Sequence, residues 1–262
     1  MQLKWHHAGL EEPVQTEPYS ALAEIYDHVM EHVDYRAWAD YLLVLCQRHN
    51  HIPSKILELA CGTGSLLMEL GKNGFAPYGS DRSLVMLKIA KQKLNNAGQP
   101  CGLFQADIIN IPVKAEFDTI LCMYDSMNYL SSLENISQTV QNVMMRLIPG
   151  GVFIFDMCTE YNSLTHFNSV SSSQCCGDYM YTRNSYYRKE ERIQITDFII
   201  TDRKTGRVRK ERHRQYVYPF SEVHTVLSRT IPGRIRMFKD YTFDSPAEQC
   251  ERVHFYIEKA EL

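Results

Sequence analysis

Along the chain, short runs of aliphatic and aromatic residues are separated by longer stretches in which apolar side chains recur every three or four positions. The first such stretch, Tyr19 to Met30, puts Leu22, Ile25, Tyr26, Val29 and Met30 on one helical face. A second, about 35–49, does the same with Trp38, Tyr41, Leu42 and Leu45. After Pro53 the style changes. Compact runs suited to strands, Lys55–Ala60, Phe75–Ser80, Gly102–Ala106, Phe117–Met123 and Val152–Met157, alternate with amphipathic helices at about 64–73, 83–97 and 134–147. Pro149-Gly150-Gly151 closes the last helix. Strand–helix alternation of this length predicts a parallel sheet with helices on both faces.

The pattern changes again at Gly177. Tyr179–Arg188, Ile193–Thr201 and Arg207–Tyr218 read as antiparallel strands, with Lys204-Thr205-Gly206 as the tight turn between the last two. Ser221 is placed to cap a short helix reaching Arg229, and strands Arg234–Phe243 and Glu251–Lys259 complete the main sheet. The expected organisation is a loose polar arm at 1–18, an α/β domain at 19–176 with a helical cover, an antiparallel β insertion at 177–218, and a C-terminal helix and strands at 219–262.

Composition narrows the class. With 262 residues, 44% hydrophobic and 23% charged, the chain can bury the core of one large α/β domain. Its longest aliphatic run, Tyr41 to Cys46, is too short to span a bilayer, and the start lacks the apolar core of a signal peptide. The eight cysteines form no C-x-x-C pair and have no histidines at finger spacing, so reduced thiols, a cytoplasmic setting and no metal are expected. His6-His7 and Cys175-Cys176 have no evident partner and are read as structural. Charge divides the chain where the pattern does: 17 Lys/Arg against 13 Asp/Glu from Gly177 onward, and 11 against 18 before it.

The chemistry concentrates in Ile56-Leu-Glu-Leu-Ala-Cys-Gly-Thr-Gly-Ser-Leu67, where a strand runs into Gly62-Thr63-Gly64 and a helix begins at once. Two glycines here allow a tight turn and close backbone approach to a ligand. A dinucleotide is disfavoured, because the third glycine of G-x-G-x-x-G would fall at Leu67 and Glu58 would repel a pyrophosphate. A cation suits Glu58 better, and S-adenosylmethionine (SAM) offers a sulfonium and an ammonium with no phosphate. Seventeen residues past Gly64, Asp81 ends the next strand, where a carboxylate can accept from both ribose hydroxyls. Asp107-Ile108 ends the strand after that, with an acceptor for the adenine amino group and an apolar side chain for the ring.

These stretches, E-L-A-C-G-T-G at 58–64, G-S-D-R-S-L-V-M-L at 79–87, Q-A-D-I at 105–108 and F-D-T-I-L-C at 117–122, resemble the ordered motifs of class I SAM-dependent methyltransferases. The resemblance implies a Rossmann-like seven-stranded sheet with its last strand antiparallel, and a β insertion over the active site. A closer likeness, through Y-S-A-L-A-E-I-Y-D-H-V-M (19–30), D-Y-R-A-W (34–38), C-M-Y-D-S-M-N-Y-L (122–130) and G-G-V-F-I-F-D-M (150–157), is to the YqeM-like bacterial methyltransferases. The chain is also similar to amino-sugar N,N-dimethyltransferases and to glycine N-methyltransferase. The likeness implies that Tyr19 or Tyr26 closes over the methionine end of SAM. The expected cofactor residues are Tyr19, Tyr26, Glu58, Ala60, Cys61, Gly62, Gly64, Asp81, Arg82, Met86, Asp107, Ile108 and Tyr124. Where YqeM-like chains carry E-x-H-x-Q-R-x-Y, this one has Glu211-Arg-His213-Arg-Gln215-Tyr216-Val-Tyr218, with Tyr216 in place of Arg.

For catalysis the candidates are His213, whose imidazole titrates near neutrality, with Tyr124 and Asp125 after the fourth strand. Asn128, Tyr181 and Tyr216 are expected at the substrate, a small molecule methylated on nitrogen or oxygen. Asp125 and Ser126 are equally suited to capping, and Cys122 to the core. Seven Lys/Arg between Arg203 and Arg214 leave two alternatives open: an RNA methyltransferase using ribbon 203–214, or a non-catalytic SAM-binding partner module. Strand alternation puts Arg207, Arg209, Glu211 and His213 on one face and Lys210, Arg212 and Arg214 on the other. Nucleic-acid surfaces gather charge on one side, so the split favours a solvated hairpin that meets an anionic substrate with one face. No residue pattern signals an oligomeric state.

Overall fold

The structure, a computed structural model, describes residues 13–99 and 101–261; His6, His7 and most of the expected arm lie outside the described residues. Val14–Gln15 forms a short strand, β1. A 3-10 turn at Leu22–Ile25 and one helical turn at Tyr26–Val29 (α1) stand where a continuous helix from Tyr19 is expected. Tyr19 takes φ 63°, which no helix permits, because the backbone here bends to meet a carboxylate of the insertion. Tyr35–Arg48 (α2) follows, its first turn capped by Asp34, which accepts from the Ala37 amide at 2.9 Å.

The alternating section then runs Ile56–Leu59 (β2), Ser65–Lys72 (α3), Tyr78–Asp81 (β3), Leu84–Asn96 (α4), Gly102–Gln105 (β4), Phe117–Cys122 (β5), Leu133–Met144 (α5) and Leu147–Cys158 (β6). Ser83 and Ser132 cap α4 and α5. β6 starts ahead of the expected Val152, since Leu147 already pairs with Phe117 before the register shifts through the Pro149-Gly150-Gly151 segment. Beyond it lie Glu160–His166 (α6), Val170–Cys176 (β7), Tyr179–Arg188 (β8), Ile193–Asp202 (β9), Val208–Tyr216 (β10), Phe220–Thr230 (α7), Gly233–Lys239 (β11) and Arg252–Lys259 (β12).

The main sheet has seven strands in the order β11-β12-β6-β5-β2-β3-β4. β4, β3, β2, β5 and β6 are parallel, and β12, the last strand of the chain, is antiparallel to β6. Successive side chains point to opposite faces, which splits the core in two. Leu57, Ile120, Phe153, Phe155 and Phe255 meet α5 and α7 on one face, while Ile56, Leu121, Ile154 and Tyr256 meet α2 and α3 on the other. Cys122 is fully buried in the first of these clusters.

The smaller sheet has five strands, β1-β10-β9-β8-β7. It takes in two strands absent from the expected 177–218 hairpin. β7, Ser/Gln/Cys-rich and largely exposed, carries no apolar alternation to betray it. β1 is recruited from the arm, Val14 pairing with Arg209 and Gln15 with Lys210. Among the described residues no helix is long and apolar enough to cross a membrane.

Candidate active site

A cavity of about 620 Å³ opens where β2, β3, β4 and β5 end, the edge at which open α/β sheets bind ligands. At the end of β2, Ala60 (φ 52°), Gly62 (φ 54°) and Gly64 (φ 76°) all turn left-handed, folding the chain back before α3. Asp81 ties this loop to β3: one carboxylate oxygen accepts from the Gly62 amide at 2.9 Å and the other from the Ser83 amide at 2.7 Å. Burial raises the Asp81 carboxyl above its ordinary value, and the amides of Ser83 and Gly62 pull against that rise. Glu58, only 5% exposed, faces the cavity with Oε2 lacking any hydrogen-bond partner. Burial first, and the nearby Asp81 charge second, push its carboxyl well up.

Cys61, Arg82, Met86, Asp107 and Ile108 also line this space, with Arg82 exposed at the mouth 4.0 Å from Asp107. Gly64 does not line it. A Cβ there would sit 3.2 Å from Ala90 and 3.3 Å from Leu94, so this glycine lets the loop press against α4.

The cover closes over the loop from the N-terminal side. The Tyr26 ring approaches Gly62, and Tyr19 and Tyr26 both line the cavity. Asp27 on α1 accepts from the Thr63 hydroxyl at 2.5 Å and pairs with Lys93 Nζ at 2.6 Å; Lys93 also reaches Ser65 at 3.0 Å. The cover is fastened equally to the insertion. Glu211, fully buried on β10, accepts from the amides of Tyr19 (2.8 Å), Ala21 and Leu22 (3.0 Å).

Residues 56–151 match the family described as a methyltransferase domain. Across nearly its whole length the chain is similar to the putative methyltransferase YqeM of Bacillus subtilis, 29% identical over 247 residues that cover 92% of this chain and 97% of the relative. A dTDP-3-amino-3,6-dideoxy-alpha-D-glucopyranose N,N-dimethyltransferase of Streptomyces fradiae is 26% identical over 152 residues, covering 57% of this chain and 58% of that one. The crystal structure of a SAM-dependent methyltransferase from Clostridium acetobutylicum superposes with a TM-score of 0.78 at 25% identity, covering 92% of this chain and 99% of that one. This chain is a SAM-dependent methyltransferase.

The methyltransferase cavity has groups that fit SAM. Glu58 offers an orphaned, buried carboxylate oxygen to a cation. Asp81 presents a carboxylate at the β3 end, and Met86 and Ile108 supply apolar walls.

Arg252 and Asp156 set the cavity wall after β5, and neither stands out in the sequence. Tyr124 (φ 62°) and Asp125 (φ 57°) are consecutive left-handed residues, a conformation costly for non-glycine side chains. Asp156, fully buried on β6, holds both: its carboxylate accepts from the Tyr124 amide at 2.5 Å and the Asp125 amide at 3.0 Å. The Arg252 guanidinium on β12 bridges Asp125 and Asp156, and lies over the rings of Tyr124 (5.1 Å) and Trp38 (5.4 Å). Burial alone would lower the Arg252 pKa, but these two carboxylates outweigh it and raise it well above the ordinary value. Asp125 is therefore committed to an ion pair and does not line the cavity. Tyr124 does line it, its hydroxyl pushed up to about 12 by burial and stabilised as the neutral donor.

His213 is also absent from the wall, yet it reaches the wall through Tyr129, a residue sequence reasoning passed over. Tyr129 lines the cavity, its hydroxyl 2.6 Å from that of Tyr19 and 3.0 Å from His213 Nδ1. On its other side His213 Nε2 lies 3.3 Å from Glu211 Oε2, without the alignment of a hydrogen bond. Burial would raise the Glu211 carboxyl, but His213 and the amides of Leu22 and Ala21 hold it below its ordinary value, so it is ionised.

The three residues expected at the substrate lie elsewhere. Asn128 is buried and clamps the ends of β6 and β10, accepting from the Cys158 amide at 3.0 Å and donating to the carbonyls of Tyr216 (2.8 Å) and Cys158 (3.4 Å). Tyr181 packs with Leu22, Ile25 and Phe198 under the cover. Tyr216 faces a second hollow beside the cavity.

Proposed function

We propose that this methyltransferase modifies a nitrogen or oxygen of a small molecule, and that Tyr129 and His213 take up the proton released. The observation that carries the reading is the hydrogen-bonded chain from Tyr19 through Tyr129 to His213, which starts at the cavity surface and ends against a buried carboxylate. The amino-sugar N,N-dimethyltransferase among its relatives supports an amine as one acceptor class. SAM, when bound, supplies a methyl group on a sulfonium that departs as a neutral thioether. The residues of the chain align the nucleophile and exclude water, through the cover fastened by Glu211 and Asp27. As the acceptor atom loses its proton, the Tyr129 oxygen takes it and passes its own to His213 Nδ1. The imidazolium so formed faces ionised Glu211.

Incubation with methyl-labelled SAM and fractionated cell extract should place label in low-molecular-weight material. With that acceptor, Tyr129→Phe and His213→Asn should each lower kcat by about 100-fold or more while SAM affinity stays within about twofold. Label confined to RNA or protein would overturn the small-molecule reading, and an unchanged kcat in Tyr129→Phe would remove the relay.

A further inference from the structure

We propose that the methyl acceptor carries a phosphate-like anionic group, and that Lys210 and Arg214 seat it in the hollow beside the cavity mouth. The inference deepens the small-molecule reading above and rests on it for the position of the acceptor atom.

β10 divides its charge between an interior and an exterior. On the inward face each side chain has a partner: Arg209 pairs with Glu24 at 2.6 Å, Glu211 takes the cover amides, His213 meets Tyr129, and Gln215 accepts from Gln194 at 2.9 Å. The outward face carries Lys210, Arg212, Arg214 and Tyr216 at every second position, and all four line a hollow of about 550 Å³. Alternation that reads in sequence as charge scattered over both faces of a hairpin is, in the fold, one neutralised face and one basic stripe.

Among the described residues no acidic side chain lines this hollow. Arg212 is neutralised by Asp197 through two 2.7 Å contacts, so its guanidinium is already committed. Lys210 and Arg214, on either side of it, have no carboxylate partner among the described residues. They are four positions apart, about 13 Å along the strand, and both side chains are long enough to converge on one anion above Arg212. Pro18, Tyr129 and Ser131 line the hollow and the cavity alike, so the two spaces adjoin at the residue that faces the reacting atom. A molecule with its nucleophile at Tyr129 would lay an anionic end on Lys210 and Arg214, beside the Tyr216 ring stacked on Tyr218.

The test uses pyrophosphate and inorganic phosphate as probes, titrated by calorimetry into the full chain loaded with S-adenosylhomocysteine. Pyrophosphate should bind saturably, and Lys210→Gln with Arg214→Gln should weaken it by about tenfold or more, while S-adenosylhomocysteine affinity stays within about twofold. Lys204→Gln, at an exposed turn where Lys204 pairs with Asp178, should change nothing. On the unmodified protein, pyrophosphate should protect Lys210 from acylation, a readout that needs no variant to fold. Equal pyrophosphate affinity in the double variant, or no saturable binding, overturns the proposal. So does an oligoribonucleotide that binds tighter than pyrophosphate with a steep salt dependence abolished by the double substitution, which assigns the stripe to nucleic acid. Failure of the labelled-acceptor experiment would leave these binding results standing, so the two readings fail separately.

Discussion

Replacing Glu58 by Gln tests the cofactor site and its energetic cost together. In the protein without SAM, this carboxylate is 5% exposed, one of its oxygens has no partner, and Asp81 adds a like charge. Its pKa is raised on folding, so its favourable contribution to stability is complete below the unfolded-state pKa and disappears as pH rises through the folded value. An unfolded-state pKa of about 4.3 and 1.36 kcal/mol per unit cap the resulting penalty at about 3.7 kcal/mol at pH 7. An unsatisfied buried polar group commonly costs about 1–3 kcal/mol. Glu58→Gln, which keeps the shape and removes the charge, should therefore stabilise the apo protein by about 1–3 kcal/mol near pH 7 and by almost nothing near pH 4. SAM affinity should move the other way. Loss of a contact to a cation removes about 1.5–3 kcal/mol, or roughly 10- to 100-fold in Kd. Urea denaturation across pH supplies the first quantity and calorimetry the second. In wild type, affinity should rise with pH as Glu58 gives up its proton to meet the ammonium, and the variant should lack that slope. A variant with wild-type SAM affinity, or one no more stable than wild type at neutral pH, would refute the placement of a cation at Glu58.

Arg252→Met should cost about 3–5 kcal/mol, because it leaves Asp125 and Asp156 buried together without their cation; a loss below about 1 kcal/mol in urea denaturation would show that the triad is not what holds the Tyr124 turn. Glu211→Gln should loosen the cover, so that SAM slows proteolysis between residues 13 and 35 in wild type but protects the variant far less. Since the Glu211 pKa is lowered on folding, its contribution is present above the unfolded-state value of about 4.3 and fades as pH falls through the folded one, and SAM retention in wild type should weaken in acid accordingly.

The amino-acid sequence alone determined the main sheet and where its ligand edge lies. Strand–helix periodicity is a local property, and so is a glycine turn followed by a helix. Each parallel strand must also end on the same side of the sheet, so Glu58, Asp81 and Asp107, far apart in the chain, line one cavity with no long-range information needed. Tertiary structure decided the rest, because it depends on pairs that carry no local signal. Arg252 meets Asp156 only because β12 lies antiparallel to β6, and that pair takes Asp125 out of the cavity. The arm strand β1 and the polar strand β7 are the two edges of the smaller sheet, made strands by pairing with β10 and β8 and not by a local apolar pattern. Tyr129 acquires its neighbours from the cover and from β10, segments about 110 residues before it and 84 residues after it in the chain. Even the charge of β10 had its period readable and its faces undetermined: alternation says which residues share a side, and only the packing of the cover against Glu211 and His213 says which side is interior.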